Sequence, residues 1–567
     1  MDNKNVFVAI ALSMSVLLFW GAFFETPKED NQNLKANNQI QQKTEDSITP
    51  NTNQAPSINQ INVEKKLSRE DSINKSNRIK IENENIVGSI SLEGGLIDDI
   101  SFKNHKQKVN GEKNINFLNP SQSENGFYVE SGWASIGNTI KVPTKNSKWE
   151  IEGNKTLTDK SPITIRWDNK EGVIFKKKIE LDKKYLFNVT QEIQNNSSKD
   201  IELYPYAQIT RNKIPDDIQN FYISHEGFIG VFDDELKEDD YDDIEDNKIV
   251  RETNEGWLGI TDKYWMTVLV PEKGKNFKST FQYNDAFRAN YIINDPMKIN
   301  ASSNGSNNFR LFVAAKEVNT IDTYAETQNI NKLDLVIDWG WFYFFTKPLF
   351  FVIDYLFKFS GNFGIAIVLI TLAIRALFFP LANFSFRSMA KMKAVTPEMT
   401  RLKELYKDDK VKLQQEMMAL YRKEKINPAA GCLPVLIQIP FFFAIYKMLF
   451  ISLEMRHQPF FGWIKDLSAA DPTSIFNLFG LIPWDPPSFM VIGIWPILMG
   501  ASMWVQQKLN PAPTDPIQAK IFAFFPLFLT IILASFPSGL VVYWTVNNIL
   551  TIAQQWVINK NTTVKTN

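Results

Sequence analysis

The sequence predicts a polytopic α-helical membrane protein that also carries a large all-β domain. Three observations predict this fold class. The N-terminus holds an uncharged apolar run, the polar middle region alternates apolar with polar residues, and the C-terminal third holds apolar runs of nearly membrane-spanning length. Charge is balanced, with 62 Lys and Arg against 63 Asp and Glu, so composition gives no indication of nucleic-acid binding.

The first element is a predicted transmembrane anchor at residues 1–25. It holds an uncharged run, 6–24, that ends in Ala-Phe-Phe rather than at a small-residue cleavage site. A cleaved secretory signal is the alternative. Residues 26–82 are rich in Asn, Gln, Lys, Ser and Thr and hold few large apolar residues, so they cannot bury a core. They are predicted to form a flexible linker.

Residues 83–330 are predicted to form the β domain. Ile163, Ile165 and Trp167 alternate with polar residues, which is typical of antiparallel strands with one solvated face. Some twenty such runs fit into the region, so a large β-sandwich is expected. The acidic stretch at 233–246 is interpreted as a solvated loop, with calcium or partner binding as the alternative.

From residue 339 onward the chain has the apolar and aromatic composition of a membrane protein. Residues 339–359 mix charges with aromatic residues, which suits an amphipathic helix in the membrane interface. Residues 361–567 are predicted to form a helical core from five apolar segments. These segments are 361–383, 431–453, 488–505, 521–536 and 539–558.

The loop at 384–428 predicts the topology, because its eleven Lys and Arg exceed its six acids and positive loops stay cytoplasmic. Both termini are then cytoplasmic and the β domain lies outside. The loop also has helical spacing of apolar residues and a polar tip, so it is predicted to be a cytosolic helical hairpin, with a solvated loop as the alternative. The residues singled out in this hairpin are Met389, Met392, Lys407, Asp408, Asp409 and Met417.

Arg375 is the most informative residue, because it lies in an apolar run without any other charge. A charge at that depth costs about 3 kcal/mol on insertion scales. The other four apolar segments hold no Asp or Glu, so a hydrated groove or carbonyl contacts are expected around Arg375, with snorkelling as the alternative. Thr371 lies one turn earlier, and Gln438 and Asn547 could also line the groove, unless they only join helices.

The sequence contains no motif for metal binding, phosphate binding or nucleophilic catalysis. There is one cysteine, Cys432, and the three histidines lie far apart in sequence, so no metal site is expected. No phosphate-binding loop and no nucleophile-elbow motif occurs, so neither a cofactor nor an enzymatic activity is expected. A small-molecule transporter is one alternative function, against which the acid-free segments argue. An envelope carbohydrate-binding protein, with the helices as anchor, is the other.

Several motifs in order resemble the YidC/Oxa/Alb family of membrane protein insertases, in its Gram-negative form, along nearly the full length. The motifs are Ile374-Arg375 with Pro380-Leu381, Ser388-Met389-Ala390-Lys391-Met392, Gln415-Glu416-Met417-Met418, Gln438-Ile439-Pro440 and Phe536-Pro537-Ser538-Gly539-Leu540. The resemblance implies a five-helix insertase core around a hydrophilic groove, with Arg375 as the groove arginine and Thr371 in the lining. Trp544 falls where the family more often has Tyr, in a substrate-contacting position.

The resemblance also implies location and partners. The protein would lie in the bacterial inner membrane with its β domain in the periplasm, and that domain would be related to sugar-binding folds, which does not establish sugar binding. It would insert and fold nascent membrane proteins as an insertase and chaperone, alone or with the Sec translocon. The ribosome, the signal recognition machinery and the lipid bilayer are the other implied partners.

Overall fold

The computed structural model describes residues 67–561, except 139, 217, 219–223, 341, 428–432, 485, 488–489 and 511–515. The predicted anchor at 1–25 and the predicted linker up to residue 66 lie outside the described residues. The rest of the chain forms a β domain followed by helices.

Within the described residues the β domain has twenty strands in two sheets. They are β1 Arg78–Glu82, β2 Ile86–Ser91, β3 Leu96–Lys106, β4 Asn114–Leu118, β5 Phe127–Ala134, β6 Glu150–Glu152, β7 Thr156–Leu157, β8 Ile163–Asp168, β9 Val173–Leu181, β10 Leu186–Asn195, β11 Ile201–Arg211, β12 Gly227–Phe232, β13 Glu235–Asp239, β14 Ile249–Thr253, β15 Gly256–Thr261, β16 Trp265–Val270, β17 Phe277–Tyr283, β18 Phe287–Ile293, β19 Met297–Ile299 and β20 Ser303–Ala315.

One sheet has the order β14-β17-β18-β11-β5-β3-β2-β1-β7, with β19 paired to β11 and β4 to β3. The other has the order β13-β12-β15-β16-β20-β10-β9-β8-β6. The named pairs are antiparallel apart from β1 with β7. Strand β9 alternates buried and half-buried residues throughout, as expected where one face packs on a core. Between the sheets lies an apolar core that includes Phe102, Phe187 and Trp257.

The linker prediction extends too far. Helix α1, Arg69–Asn74, begins after Ser68, whose hydroxyl accepts a hydrogen bond from Asp71 N at 3.1 Å. Strand β1 follows, and its Ile79 and Ile81 are fully buried. The polar composition of the segment led to a wrong prediction here, because Ile79, Ile81 and two ion pairs, Arg69 with Asp99 and Arg78 with Asp98, attach it to the β domain.

The acidic stretch at 233–246 is not a loop. It forms β13 and the helix α2, Tyr241–Asp246, whose Tyr241 and Ile244 are buried. Asp239 accepts two hydrogen bonds of 2.8 Å from the guanidinium of Arg251. The described residues contain no cluster of side chains able to hold a metal ion. Buried apolar residues and the paired Asp239 carboxylate therefore order the segment, while its other acidic residues are exposed to solvent.

The helices that follow are α3 Val318–Thr327, α4 Tyr343–Ser360, α5 Phe363–Leu377, α6 Phe379–Ala394, α7 Thr396–Leu405, α8 Lys410–Lys423, α9 Leu433–Ile451, α10 Ile494–Leu509, α11 Pro516–Leu533 and α12 Ser538–Asn561. By length and composition, no single described helix qualifies to cross a membrane, whereas α5 and α6 qualify together as a pair bent by 68°. The predicted segment at 361–383 is broken there, because Pro380 cannot continue the preceding helix.

Helix α4 corresponds to the interfacial helix predicted at 339–359. Its Phe350 and Ile353 are buried, whereas Tyr355 and Phe359 are 70% and 80% exposed. The ammonium of Lys347 forms ion pairs with the carboxylates of Asp322, at 3.0 Å, and Asp334, at 2.8 Å, which both precede the helix in the chain. The helix is therefore tied to the segment that precedes it, and its place in a membrane interface stays a prediction.

The β domain is joined to the end of α9 by partly buried polar contacts. The ammonium of Lys447 donates to Asp338 Oδ2 at 2.7 Å, and the same oxygen accepts from His225 N at 3.1 Å. Beyond the helix, Glu454 Oε1 accepts from Val318 N at 2.8 Å. Several independent contacts thus hold the outer end of α9 against the β domain.

Glu454 should make stability depend on pH. Burial raises its pKa to about 7, from an ordinary value of 4.5. Between these two values the unfolded chain releases this proton while the folded chain retains it, so the stability contributed by Glu454 is lost as pH rises through that window. We expect Glu454→Gln to flatten the dependence of the melting temperature on pH between about 4.5 and 7.

The matched control is Glu150→Gln, because Glu150 is exposed on β6. Melting of the full chain in detergent, followed by circular dichroism at several pH values, measures the effect. Equal pH slopes for Glu454→Gln and the unmodified chain would contradict the assignment.

Candidate functional site

The candidate site is centred on Arg375, in the last turn of α5. This helix begins at a side-chain cap, since Asn362 Oδ1 accepts from Ile365 N at 3.1 Å. A run of apolar residues follows, and the helix ends at Phe378, where the chain bends into α6. A cation in the last turn of a helix is favoured by the helix dipole. Arg375 is half-buried.

The guanidinium of Arg375 is held by two residues of α12. Arg375 Nε and Nη2 both donate to Asn547 Oδ1, at 2.9 Å and 2.6 Å. Nη2 also donates to Asn547 O at 3.2 Å and to the hydroxyl of Thr551. All of these acceptors are neutral, and among the described residues Arg375 has no salt-bridge partner. The charge is thus oriented by hydrogen bonds but not neutralised.

From Arg375, a row of aromatic and amide side chains continues along the interface between α9 and α12. The side chain of Gln438 lies beside the hydroxyl of Tyr543. The ring of Trp544 lies 4.9 Å from that of Phe442, nearly edge to face. Gln438 and Trp544 therefore lie along the same helix pair as Asn547, whereas only Asn547 of the three contacts Arg375.

Thr371 does not contact the arginine through its hydroxyl. Its side chain is buried and donates to Ile367 O of the same helix at 2.6 Å. Sequence reasoning missed Thr551 and Tyr543. The signal was present, because residues 543, 547 and 551 are spaced by four and so share one face of a helix.

Other polar residues of the bundle join helices to each other. Asn548 Nδ2 donates to Ser502 Oγ of α10 at 3.1 Å, on the side of α12 away from Arg375. Gln554 and Gln555 make similar bonds to Asn383 and Asn510. These contacts fit the interpretation of polar residues as connections between membrane helices.

The predicted hairpin consists of α6, α7 and α8. Met389, Met392 and Met417 are half-buried. Lys407, Asp408 and Asp409 are exposed at the turn between α7 and α8, and Asp409 caps α8 by accepting from Lys412 N at 3.0 Å. At the other end, Lys393 donates to Lys508 O at 3.2 Å. The hairpin is therefore attached to α10 through Lys393, and its turn is exposed.

A large β-sandwich followed by apolar helices, of which α5 and α6 together qualify to cross a membrane, is the architecture expected of a membrane protein with a folded domain outside the bilayer. Two family models match the chain: the YidC periplasmic domain over residues 78–352 and the 60Kd inner membrane protein over residues 355–566.

Relatives match over the full length. The chain is 53% identical to the membrane protein insertase YidC of Pelagibacter ubique, with 100% of both chains covered. It is 44% identical to that of Methylorubrum extorquens, covering 100% of this chain and 96% of the relative. A crystal structure described as an active YidC insertase matches at 18% identity over 84% of this chain and 91% of that one, with a TM-score of 0.34.

The chain belongs to the YidC family of membrane protein insertases. It is accordingly an inner-membrane protein with a periplasmic domain, and its function is membrane protein insertion. The relatives are named insertases rather than enzymes.

Proposed function

We propose that the insertase works through a hydrophilic groove in which Arg375 transiently binds polar or acidic segments of nascent membrane proteins. One observation carries this proposal: Arg375 is bound by Asn547 and Thr551, both neutral, and within the part of the chain that the structure describes its charge has no counter-ion. A carboxylate can accept two parallel hydrogen bonds from a guanidinium, which are stronger than bonds to neutral acceptors. An acidic substrate segment can therefore displace the resident contacts.

The unused hydrogen-bond donors of the guanidinium fit this exchange of partners. Among the described residues no acceptor lies within hydrogen-bond distance of Arg375 Nη1, so two donors remain for a ligand. The arginine needs only to give up Asn547 Oδ1 or Thr551 to present a full fork. Binding is then reversible, because the resident amide and hydroxyl take the donors back when the substrate leaves.

Apolar faces beside the groove supply the path into lipid. Leu372 and Leu377 of α5 are 42% and 70% exposed, and Ile549 of α12 is 53% exposed. A hydrophobic substrate segment passing along these faces buries its own apolar surface, at about 25 cal/mol per Å². This burial and the membrane potential drive the step in our proposal, so no cofactor, nucleotide or enzymatic reaction is required.

The hairpin is the proposed receiving surface on the cytoplasmic side. Flexible methionines adapt to different partners, and the exposed tip at Lys407, Asp408 and Asp409 is accessible to large assemblies. We propose that it meets nascent membrane proteins delivered by the ribosome and the signal recognition machinery. Cooperation with the Sec translocon, a folding-chaperone role and cytoplasmic positions for both termini complete the proposal.

Asn547→Asp tests the groove directly. It places a resident carboxylate where Arg375 Nε and Nη2 now meet the neutral Asn547 Oδ1. We expect insertion of a short substrate with an acidic segment into proteoliposomes to fall about tenfold or more, since a charged hydrogen bond contributes about 1.5–3 kcal/mol. Protease protection of the inserted segment measures the yield.

The matched control is Asn548→Asp, one residue away, which contacts Ser502 instead of Arg375. It adds the same charge to the same helix without neutralising the arginine. An equal loss in both variants would point to helix packing and count against Arg375 as the binding charge. Normal insertion by Asn547→Asp would exclude the proposed exchange of partners.

A further inference from the structure

The segment between α9 and α10 ends in an unusually apolar loop, residues 475–484, called the apolar loop below. Seven of its ten residues are large and apolar with exposed side chains: Ile475, Phe476, Leu478, Phe479, Leu481, Ile482 and Trp484. Leu481 is 84% exposed. An exposed apolar patch of this density marks an interaction surface.

Backbone hydrogen bonds close the loop on itself, so its conformation exposes the apolar side chains. Ile482 N donates to Asn477 O at 3.0 Å, and Phe479 N donates to Ser474 O at 2.8 Å. Leu478 and Phe479 both adopt left-handed backbone conformations, with φ of 49° and 59°. Such conformations are unfavourable for bulky residues and persist where the surrounding structure enforces them. The backbone thus holds these side chains outward.

A buried carboxylate fixes the base of the loop to the start of α10. Asp471 is 1% exposed, and its oxygens accept from Trp463 Nε1 at 3.1 Å, Thr473 Oγ1 at 2.7 Å and Trp495 N at 2.9 Å. A side chain at Gly493 would collide with this carboxylate, since its Cβ would lie 2.4 Å from Asp471 Cγ. The loop therefore has a fixed position relative to α10.

The chain that leads into the loop leaves α9 on the side of the helices that faces the β domain. Phe450, in the last turn of α9, lies 3.6 Å below the ammonium of Lys263 of the β domain. Just beyond that helix, Arg456 donates to Gln107 O at 3.4 Å. From there the chain runs through the apolar loop into α10. Helix α10 has 16 residues and is therefore ~24 Å long, which is shorter than the ~30 Å thickness of a hydrocarbon core. The chain that immediately precedes α10 can therefore still lie within the hydrocarbon core.

We propose that the apolar loop is embedded in the lipid leaflet on the β-domain side, as a fixed wedge at the outer end of α10. The chemistry of the loop favours lipid over a protein partner. Protein interfaces carry a polar rim with hydrogen bonds, whereas the only polar side chain of this loop, Asn477, donates back to Trp484 O at 3.4 Å. Uncharged side chains and internally bonded backbone groups are what a hydrocarbon environment requires. Trp484 beside the apolar tip matches the interfacial preference of tryptophan.

The proposal is tested with a fluorophore on the full-length chain. In a Cys432→Ser background, Leu481→Cys is labelled with the environment-sensitive dye NBD. Labelling Val250→Cys, which is 43% exposed on β14, provides the control. Both proteins are reconstituted into phosphatidylcholine–phosphatidylglycerol vesicles, with or without bromine on the acyl chains, and iodide is added as an aqueous quencher.

The dye at Leu481→Cys is expected to emit at shorter wavelength, to lose fluorescence in brominated vesicles and to resist iodide. The dye at Val250→Cys is expected to show the reverse. If Leu481→Cys destabilises the loop, Phe476→Cys gives the same readout from a second position. Iodide quenching of both loop positions with no effect of bromine overturns the proposal in favour of an aqueous surface. Protection from iodide that depends on protein density rather than on bromine overturns it in favour of a contact between copies.

Discussion

Replacing Arg375 by Glu is expected to abolish insertion of substrates with acidic segments in proteoliposomes. The substitution reverses the charge that Asn547 and Thr551 now orient, and it leaves a carboxylate to repel the substrate. Arg375→Ala removes the charge without reversing it and should lower the yield about tenfold or more, the equivalent of a charged hydrogen bond of about 1.5–3 kcal/mol. Arg375→Lys should give an intermediate yield, because an ammonium keeps the charge without the planar fork.

The substrate provides the sharper control. If Arg375 binds acidic groups, a substrate whose acidic residues are replaced by amides should be inserted almost equally by the unmodified chain and by Arg375→Ala. The effects of the two changes should then be strongly non-additive, as they are for groups in contact. Arg387→Ala serves as a protein control, since Arg387 is exposed on α6. Normal insertion by both Arg375→Ala and Arg375→Glu would exclude the groove mechanism.

Arg211→Ala is expected to cause the largest loss of stability in the β domain. Arg211 ends β11 in one sheet, and its guanidinium donates to both oxygens of Asp262, which follows β15 in the other sheet, at 2.5 Å and 2.8 Å. It also donates to the hydroxyl of Tyr241 at 2.9 Å and lies over the ring of Phe127. Removing one partner leaves a buried carboxylate unpaired, which costs about 3–5 kcal/mol.

The double substitution of Arg211→Met with Asp262→Leu replaces the ion pair by two apolar side chains at the same place. It should recover most of the lost stability, because well-packed apolar residues often replace a buried ion pair at little cost. Lys80→Ala is the control, since Lys80 pairs with Glu82 at the surface, where such pairs contribute about 0–1 kcal/mol. Guanidinium unfolding of the full chain in detergent gives the comparison. A small effect of Arg211→Ala would show that this contact does not hold the two sheets together.

The general fold could be predicted from local patterns. Alternation of apolar and polar residues in segments such as β8 and β9 indicates a strand with one buried face, whatever its neighbours in the sheet are. The prediction of a large β-sandwich followed by a helical region is confirmed. The membership of the insertase family is likewise confirmed, since ordered motifs survive in the chain itself. Arg375 stood out because an isolated charge in an apolar run is costly wherever it lies.

Features that depend on distant partners could not be predicted. Asp239 looks like any residue of an acidic loop until Arg251 is placed beside it. The helix at Arg69–Asn74 depends on Asp99, some thirty residues later. Thr551 and Asn547 could be placed on one helix face, but their contact with Arg375 spans more than 170 residues and arises only when α5 packs against α12. The roles of the groove and hairpin residues stay predictions.

The hydrogen bonds that Arg375 donates to Asn547 and Thr551 have an entropic consequence. An unrestrained arginine side chain carries about 2 kcal/mol of rotamer entropy, which a ligand would have to remove on binding. Here the fold has removed much of that freedom before any substrate arrives, so the guanidinium is preorganised. A preorganised site can bind a succession of unrelated segments weakly and quickly, because none of them has to fit well enough to order it.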